Sequence, residues 1–190
     1  MGMTFAAWLR SLPSLTGTAP EPDAAPLPAS PEELFERWIR HAADAGIVEA
    51  HAATLATVDA EGVPDARTLI LKDVGPAGWA FASTRTSAKG VQLADRPAAA
   101  LNFWWPPVLR AVRVRGRVVE ATPEESAADL AARSATARAG ISPDDWVLWR
   151  LRPDHVEFWE GAADRRHTRL RYDRVDGEWA HHQPTHPATT

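Results

Sequence analysis

The chain is expected to fold mainly as β structure with peripheral helices, an α+β arrangement built on an antiparallel barrel, and three observations predict it. Short runs rich in Val, Ile, Thr and aromatic residues recur from residue 53 to residue 179 with turn residues between them. Helix-start chemistry is confined to a few places, Ser30-Pro31-Glu32-Glu33, the neighbourhood of Ser87, and Thr122-Pro-Glu-Glu-Ser126. The two longest runs are divided by Pro106-Pro107, which cannot lie inside a central strand. Many short strands with few helices favour a closed antiparallel barrel over a doubly wound parallel sheet.

In order along the chain, Pro13, Pro20, Pro22, Pro26, Pro28 and Pro31 disfavour a helix from 13 to 31, so residues 1–30 read as an extended Pro/Ala-rich arm. Ser30 as N-cap, Pro31 at the first helical position and two acids in the first turn then open a helix to about Ala45. Leu34, Trp38 and Ile39 form its apolar side, and Gly46 stops it. Residues 53–58 and 66–74 are expected as strands joined around Asp59-Ala-Glu-Gly62, with a third strand at 78–82. A short helix starts near Ser87 and ends before Pro97. Strands follow at 98–105 and 109–120, then an alanine-rich helix from Thr122 toward Arg138, stopping near Gly140. Residues 147–151, 156–159, 169–172 and a short piece at Trp179 complete the antiparallel set. Residues 31–180 thus form one domain and 181–190 a tail.

Composition narrows the function. At 190 residues and 45% hydrophobic content the chain buries one core. A net charge of -4 and a pI near 6.0 argue against a protein whose main task is gripping nucleic acid, which needs a dominant cationic field. The absence of cysteine removes disulfides, thiolate nucleophiles and cysteine metal sites together. The apolar stretch at 5–9 is interrupted by Arg10, and no run has the length of a membrane span, so a cytoplasmic protein is expected. Of 21 basic residues only Lys72 and Lys89 are lysines, which makes those two the first site candidates.

Three constellations carry chemistry. Ser83-Thr84, Ser87 and Lys89 fall at a strand-to-helix junction, where hydroxyls, unpaired N–H groups and an ammonium make an anion site; the alternative is ordinary capping beside an exposed lysine. Arg67 and Lys72 end one mostly apolar strand. A separation of five puts them on opposite faces of an ideal strand, so convergence on one ligand needs a twist, a bulge or a long ligand; the alternative is two solvated charges. Trp159-Glu-Gly161 precedes Arg165, His167 and Arg169. If that stretch is extended, the three cationic positions share a face and favour an anionic ligand, the alternative being a hydrated edge strand. Arg113, Arg115 and Arg117 alternate on one face, solvated or part of an anion pocket. His181-His182 and His186 lack ligand spacing for zinc, and no Gly-rich loop matches a nucleotide fingerprint.

Taken in order, Thr54-Leu-Ala-Thr-Val-Asp59, Arg67-Thr-Leu-Ile-Leu-Lys72, Ser87-Ala-Lys89-Gly90, Phe103-Trp-Trp105, Val156-Glu-Phe-Trp-Glu-Gly161, Arg165-Arg-His167-Thr-Arg169 and Tyr172-Asp-Arg174 resemble the pyridoxine/pyridoxamine 5'-phosphate oxidase family from about Pro31 to Trp179. The resemblance implies an FMN-binding split β-barrel homodimer with the cofactor between subunits. It implies that Arg67, Lys89, Ser83 and Ser87 hold the FMN phosphate, that Leu69, Ile70 and Lys72 lie along the flavin, and that Trp159 and Arg169 reach it from the partner subunit. Lys72, Arg133, Arg165 and His167 correspond to substrate contacts, with His167 and Arg165 nearest the chemistry. Flavin N5 then accepts a hydride from a small substrate and molecular oxygen takes the electrons.

The chain also departs from the family. Ala88 stands where an arginine is usual and Ala111 where a flavin-contacting glutamine is; Asp129 and Ala137 replace a tyrosine and a serine of the substrate-phosphate group, and an aspartate aimed at a phosphate repels it. The segment that usually follows the second long helix, with a further flavin-binding element, is largely missing. The expectation is therefore an FMN-dependent oxidase whose substrate need not be a B6 vitamer, for example a dihydroaromatic intermediate, since phenazine-biosynthesis flavin oxidases resemble the same template. The alternatives are a genuine pyridoxine/pyridoxamine 5'-phosphate oxidase, or a non-catalytic module holding flavin, deazaflavin or haem.

Overall fold

A computed structural model describes residues 2–20 and 26–182; Pro22, His186 and residues 183–190 of the expected tail lie outside the described residues. The arm begins with a helix, α1 (Phe5–Ser11), capped by the Thr4 hydroxyl, which corrects the expectation of a wholly extended arm. The helix ends before Pro13, where the proline run begins, so the arm's proline content never opposed it. Further on, the buried Tyr172 hydroxyl donates to the Pro28 carbonyl at 2.9 Å and pins the arm to the barrel.

Ser30 caps α2 (Pro31–Asp44) as its sequence requires, and the helix buries Leu34, Phe35 and Ala42. The strands are β1 (Ala52–Val58), β2 (Pro64–Ile70), β3 (Asp73–Gly75), β4 (Gly78–Thr84), β5 (Ala98–Trp105), β6 (Arg110–Glu120), β7 (Trp146–Glu160), β8 (Thr168–Val175) and β9 (Glu178–His182). Between them lie α3 (Ala88–Asp95), α4 (Pro123–Ala132) and α5 (Ala135–Arg138), and a 3-10 turn over Pro106–Val108. All pairings are antiparallel, in the order β2-β1-β5-β6-β7-β4-β3, with β8 and β9 added beyond the second half of β7.

Three departures from the sequence expectation shape the barrel. The strand expected at 66–74 changes partner midway. Ile70 still pairs with Ala52, whereas Leu71 N–H donates to His51 O at 2.9 Å and Lys72 N–H to Ala80 O at 2.8 Å. That switch joins the first and last strands of the sheet and closes the barrel, while β2 and the end of β4 share no ladder among the described residues. The barrel is split there. Second, 147–151 and 156–159 belong to one strand. Pro153 is accommodated because the register shifts between Arg115 and Gly116, and a Cβ on Gly116 would overlap the Arg152 carbonyl. Third, the helix from Thr122 breaks at Arg133-Ser134 and restarts with a new cap, and only residues 139–145 connect it to β7.

Trp79, Phe81, Phe103, Trp105, Phe158 and Tyr172 fill the interior. No helix among the described residues is long and apolar enough to cross a membrane, and no group of metal-ligating side chains occurs among them.

Candidate functional site

Two clusters emerge from the residues singled out in the sequence. The first plugs the split end of the barrel. Arg67 on β2 is paired in register with the buried Leu55, so its guanidinium lies on the barrel's inner side. It donates to the Thr57 hydroxyl, to Asp65 at 2.5 Å and to Gln92 Oε1 at 3.1 Å. Thr57 itself donates to Gln92 Oε1 at 2.5 Å. Gln92 comes from α3, so the network ties helix to barrel and fixes the arginine.

Lys89, on the first turn of the same helix, is half-buried. Burial holds its ammonium below the usual lysine range, with the charge of Arg67 pushing the same way. Two cations that oppose each other at a helix start form a cradle for an anion. Thr57, Asp65 and Gln92 were missed by sequence reasoning. Gln92 offers a readable signal only in hindsight, since it follows Lys89 by three residues and so shares a helix face with it.

The serines of this region are engaged in structure. Ser87 caps α3, accepting from Gly90 N–H at 3.2 Å and donating to Thr84 O at 2.8 Å. Ser83 is buried, receives Trp149 Nε1–H at 3.0 Å and donates to Thr84 O. Leu69 packs partly against the core and pairs with Ala53 of β1.

The second cluster lies on the outer face of the sheet. Trp104, Ala111, Trp159 and Arg169 follow one another in register across β5, β6, β7 and β8, while the residues beside them, Phe103, Val112, Phe158 and Leu170, point into the core. The Trp104 and Trp159 rings meet at 5.7 Å above the small Ala111, and His167 lies 4.9 Å from Trp159. The Ala162 N–H donates to His167 Nδ1 at 3.1 Å, which in the neutral ring puts the proton on Nε2 and turns that nitrogen outward. Arg165 does not extend this row as expected. It occupies a left-handed turn (φ 66°) closed by its N–H to Ala162 O, because β8 begins only at Thr168. Below the row, Arg113 and Arg171 pair with the buried Glu157 at 3.1 and 2.9 Å. Those arginines are thus compensated internally.

The remaining candidates lie elsewhere. Lys72 lines a cleft of about 800 Å³ between α2 and β3 whose wall carries Glu32, Glu33, Glu36 and Asp73, an acidic setting for an anion. Arg133 rests over the Trp146 ring at 4.7 Å, and Trp146 Nε1 donates to Asp129 at 2.9 Å. Lys72 and Arg133 are linked only indirectly: Asp73, next to Lys72, and Glu125 on α4 both pair with Arg150.

Register decides how the clusters relate. Arg67 shares the inner face with Leu55, Leu101, Val114 and Val156, whereas Trp159 and Arg169 occupy the outer face. One sheet separates them, so a single chain cannot bring both to one small ligand. Two chains can.

Comparison with known proteins agrees with this architecture. Residues 39–160 match the family model described as pyridoxamine 5'-phosphate oxidase, and residues 146–183 match the pyridoxine 5'-phosphate oxidase C-terminal dimerisation region. A pyridoxine/pyridoxamine 5'-phosphate oxidase of Pseudomonas fluorescens (strain SBW25) is 38% identical over 186 residues, covering 80% of this chain and 86% of the relative. PhzG from Burkholderia lata 383, solved in complex with tetrahydrophenazine-1-carboxylic acid, superposes with a TM-score of 0.80 at 25% identity, covering 89% of this chain and 98% of that one. A pyridoxamine 5'-phosphate oxidase-related, FMN-binding protein from Nostoc punctiforme PCC 73102 shares the fold with a TM-score of 0.72 at 20% identity, covering 84% and 100%.

Proposed function

The chain belongs to the pyridoxamine 5'-phosphate oxidase family, and from that premise we propose that it is an FMN-dependent oxidoreductase acting as a homodimer on a small anionic substrate other than a B6 phosphate. The observation that carries this reading is the contrast between its two anion subsites. At the cofactor end Arg67 and Lys89 face each other without a carboxylate that neutralises both, and Gln92 and Thr57 hold the arginine in place. This donor set fits the phosphate of FMN. At the substrate-phosphate end the arginine is spent on an indole, the neighbouring carboxylate is bonded to that indole, and Lys72 stands among acids. A phosphate monoester dianion gains little there.

Bound FMN supplies a two-electron acceptor for a hydride leaving a substrate carbon, with molecular oxygen as the final acceptor. The chain's own residues bind and orient. Arg67 and Lys89 anchor the phosphate through charge-assisted hydrogen bonds. The unpaired edges along the split, with the Leu69 and Ile70 backbone, offer N–H and C=O groups to the flavin's polar rim. From the partner subunit, the equivalents of Trp159 and Arg169 complete the cofactor's enclosure and exclude water. His167, held by its Nδ1 contact, presents Nε2–H to a substrate oxygen or nitrogen, and the exposed Arg165 adds a positive charge at the entrance. The aromatic row of Trp104, Trp159 and His167 favours a flat ring with an attached carboxylate. A dihydroaromatic acid satisfies both requirements, and the structural likeness to PhzG supports that class.

A second reading, oxidation of pyridoxine or pyridoxamine 5'-phosphate itself, is favoured by the 38% identity to a curated relative of that name and by the presence of Lys72 and Arg133. One experiment separates them. The protein is purified without added cofactor, its visible spectrum recorded and the released chromophore identified by mass; stoichiometric FMN is expected. Oxygen consumption is then measured with B6 phosphates and with dihydroaromatic carboxylates. Efficient turnover of the B6 phosphates establishes the second reading, and a colourless protein that also fails to bind added FMN overturns both.

A further inference from the structure

Helix α1 leaves an apolar face largely exposed on its own chain. Phe5, Trp8, Leu9 and Leu12 recur at i, i+3, i+4 and i+7, the spacing of a single helix face. All four are between 43% and 72% exposed, and no residue of the helix is buried. Phe5 and Trp8 stack at 5.5 Å, and Met3 prolongs the apolar stripe toward the N-terminus. The helix is capped by the Thr4 hydroxyl, and the Leu12 N–H returns to Leu9 O at its end. Seven residues are too few for a helix to persist in water on propensity alone, so its stability has to come from packing of this face. Among the described residues of one chain this face is only partly covered.

Where the helix can go is restricted by its tether. Thr18 N–H donates to Pro107 O at 2.9 Å, and Gly17 lies so close to the Pro106 and Pro107 carbonyls that any Cβ would overlap them. From Ser11 to Gly17 the chain reaches roughly 20 Å when fully extended. The helix therefore stays near the Pro106–Val108 turn. That turn borders the outer sheet face: Trp104 precedes it, and Gly161 N–H donates to Leu109 O at 2.7 Å just beyond it. Residues 146–183, which supply Trp159 and Arg169 to that face, match the family's dimerisation region.

From this continuity we infer that α1 is an exchanged arm: its Phe5, Trp8, Leu9 and Leu12 stripe packs on a second copy of this chain, at the rim of the shared outer face. Charge favours a protein surface over a lipid one. Arg10 is the helix's single charged residue, whereas helices that lie on anionic membranes depend on a cationic flank. The inference rests on the homodimer proposed above, and its test distinguishes failure of the arm from failure of the dimer.

The natural absence of cysteine makes the test direct, because Leu9→Cys gives a single thiol in the full-length protein. It is labelled with a benzophenone maleimide, mixed with 15N-labelled protein under conditions where subunits exchange, and irradiated. Crosslinked peptides joining position 9 of a light chain to a heavy chain are expected, at a yield well above that of a Glu61→Cys control. In parallel, Trp8→Glu and Leu9→Glu are expected to weaken the dimer at least tenfold on dilution in sedimentation, with near-UV circular dichroism of the barrel preserved, while Arg10→Gln leaves the dimer unchanged. Crosslinks confined to light chains overturn the exchanged arm. So does a dimer indifferent to Trp8→Glu whose α1 instead partitions onto phosphatidylglycerol vesicles. A wild-type protein that is monomeric at every concentration overturns the dimer itself.

Discussion

Replacing Arg67 by alanine tests the cofactor end of the site most directly. Of the five guanidinium N–H groups, three donate to Thr57, Asp65 and Gln92, and the other two are those that a phosphate would engage on the proposed reading. A hydrogen bond between charged groups contributes about 1.5–3 kcal/mol, and the two share one guanidinium, so a combined loss of about 2–3 kcal/mol is expected. That corresponds to roughly 30- to 150-fold weaker FMN binding. The protein itself should tolerate the change, because Thr57 and Gln92 keep their mutual hydrogen bond at 2.5 Å and Gln92 still reaches Asp65 at 3.4 Å. The assay is titration of apoprotein with FMN, followed by flavin fluorescence at fixed ionic strength. Asp65→Asn supplies a control of opposite sign. Its carboxylate pairs with Arg67 and would repel an anion held by that guanidinium, so removing its charge should tighten FMN. If Arg67→Ala changed the dissociation constant by less than fivefold, or Asp65→Asn weakened binding as Arg67→Ala does, the anion-cradle argument would be wrong.

Four further outcomes are expected. Lys89 has a pKa below the ordinary lysine value of 10.5, chiefly from burial and then from Arg67, so the flavin-free protein should gain stability as pH rises through that depressed pKa toward 10.5, where the unfolded chain still holds the proton. FMN affinity should fall over the same window, since phosphate binding requires the ammonium; thermal melts and flavin titrations of wild type and Lys89→Met from pH 7 to 11 check both signs. Gly116→Ala should cost about 3 kcal/mol or more in chemical denaturation, because the added Cβ meets the Arg152 carbonyl rather than a yielding side chain. Ser83→Ala should cost about 1–3 kcal/mol by leaving Trp149 Nε1–H unpaired in the core, with FMN affinity nearly unchanged. Finally, Arg67→Ala and Arg169→Ala homodimers should each bind flavin poorly, while subunit exchange between them restores one intact site per mixed dimer; no recovery under demonstrated exchange would count against a site shared across chains.

The β-rich architecture was legible because strand signals are local: alternation, turn residues and prolines each act over a few positions. What local signals do not carry is a change of partner. The stretch from Ala66 to Val74 reads as one strand, and its conformation is nearly that, but the handover from β1 to β4 at Leu71 and Lys72 depends on His51 and Ala80, distant in sequence. Pro153 misled in the other direction, since a proline argues for a strand end unless a bulge removes the need for its N–H, and that bulge, which leaves Asp154 of β7 outside the register, exists only through pairing with β6, distant in sequence. For the site, the cations stood out by type, with two lysines in 190 residues. Their neutral partners did not. Gln92 and Thr57 are ordinary residues until the fold places both against Arg67, and Arg165 was read as part of an extended run because nothing local announces its left-handed turn.

On the reading proposed above, Ala111 would bear on selectivity as well as on cofactor strength. A glutamine at that position, expected from the resemblance, contributes a hydrogen bond of about 1 kcal/mol to a bound flavin. Alanine removes that bond and also removes the side chain that would stand between two strands, so that Trp104 and Trp159 close to 5.7 Å over the gap. An aromatic pair of this kind contributes about 0.5–1.5 kcal/mol. The first term bears on flavin affinity and the second on the chain's own packing, so the two do not offset each other. Trp104 remains 45% exposed while paired, so its free face lengthens the wall formed by Trp159 and His167. If that wall faces the substrate, as proposed, a fused ring system would gain more contact from it than a single pyridine. On the reading proposed above, with Arg133 engaged by Trp146 and Asp129 bonded to the same indole, discrimination would rest on ring area along the substrate more than on charge at one end.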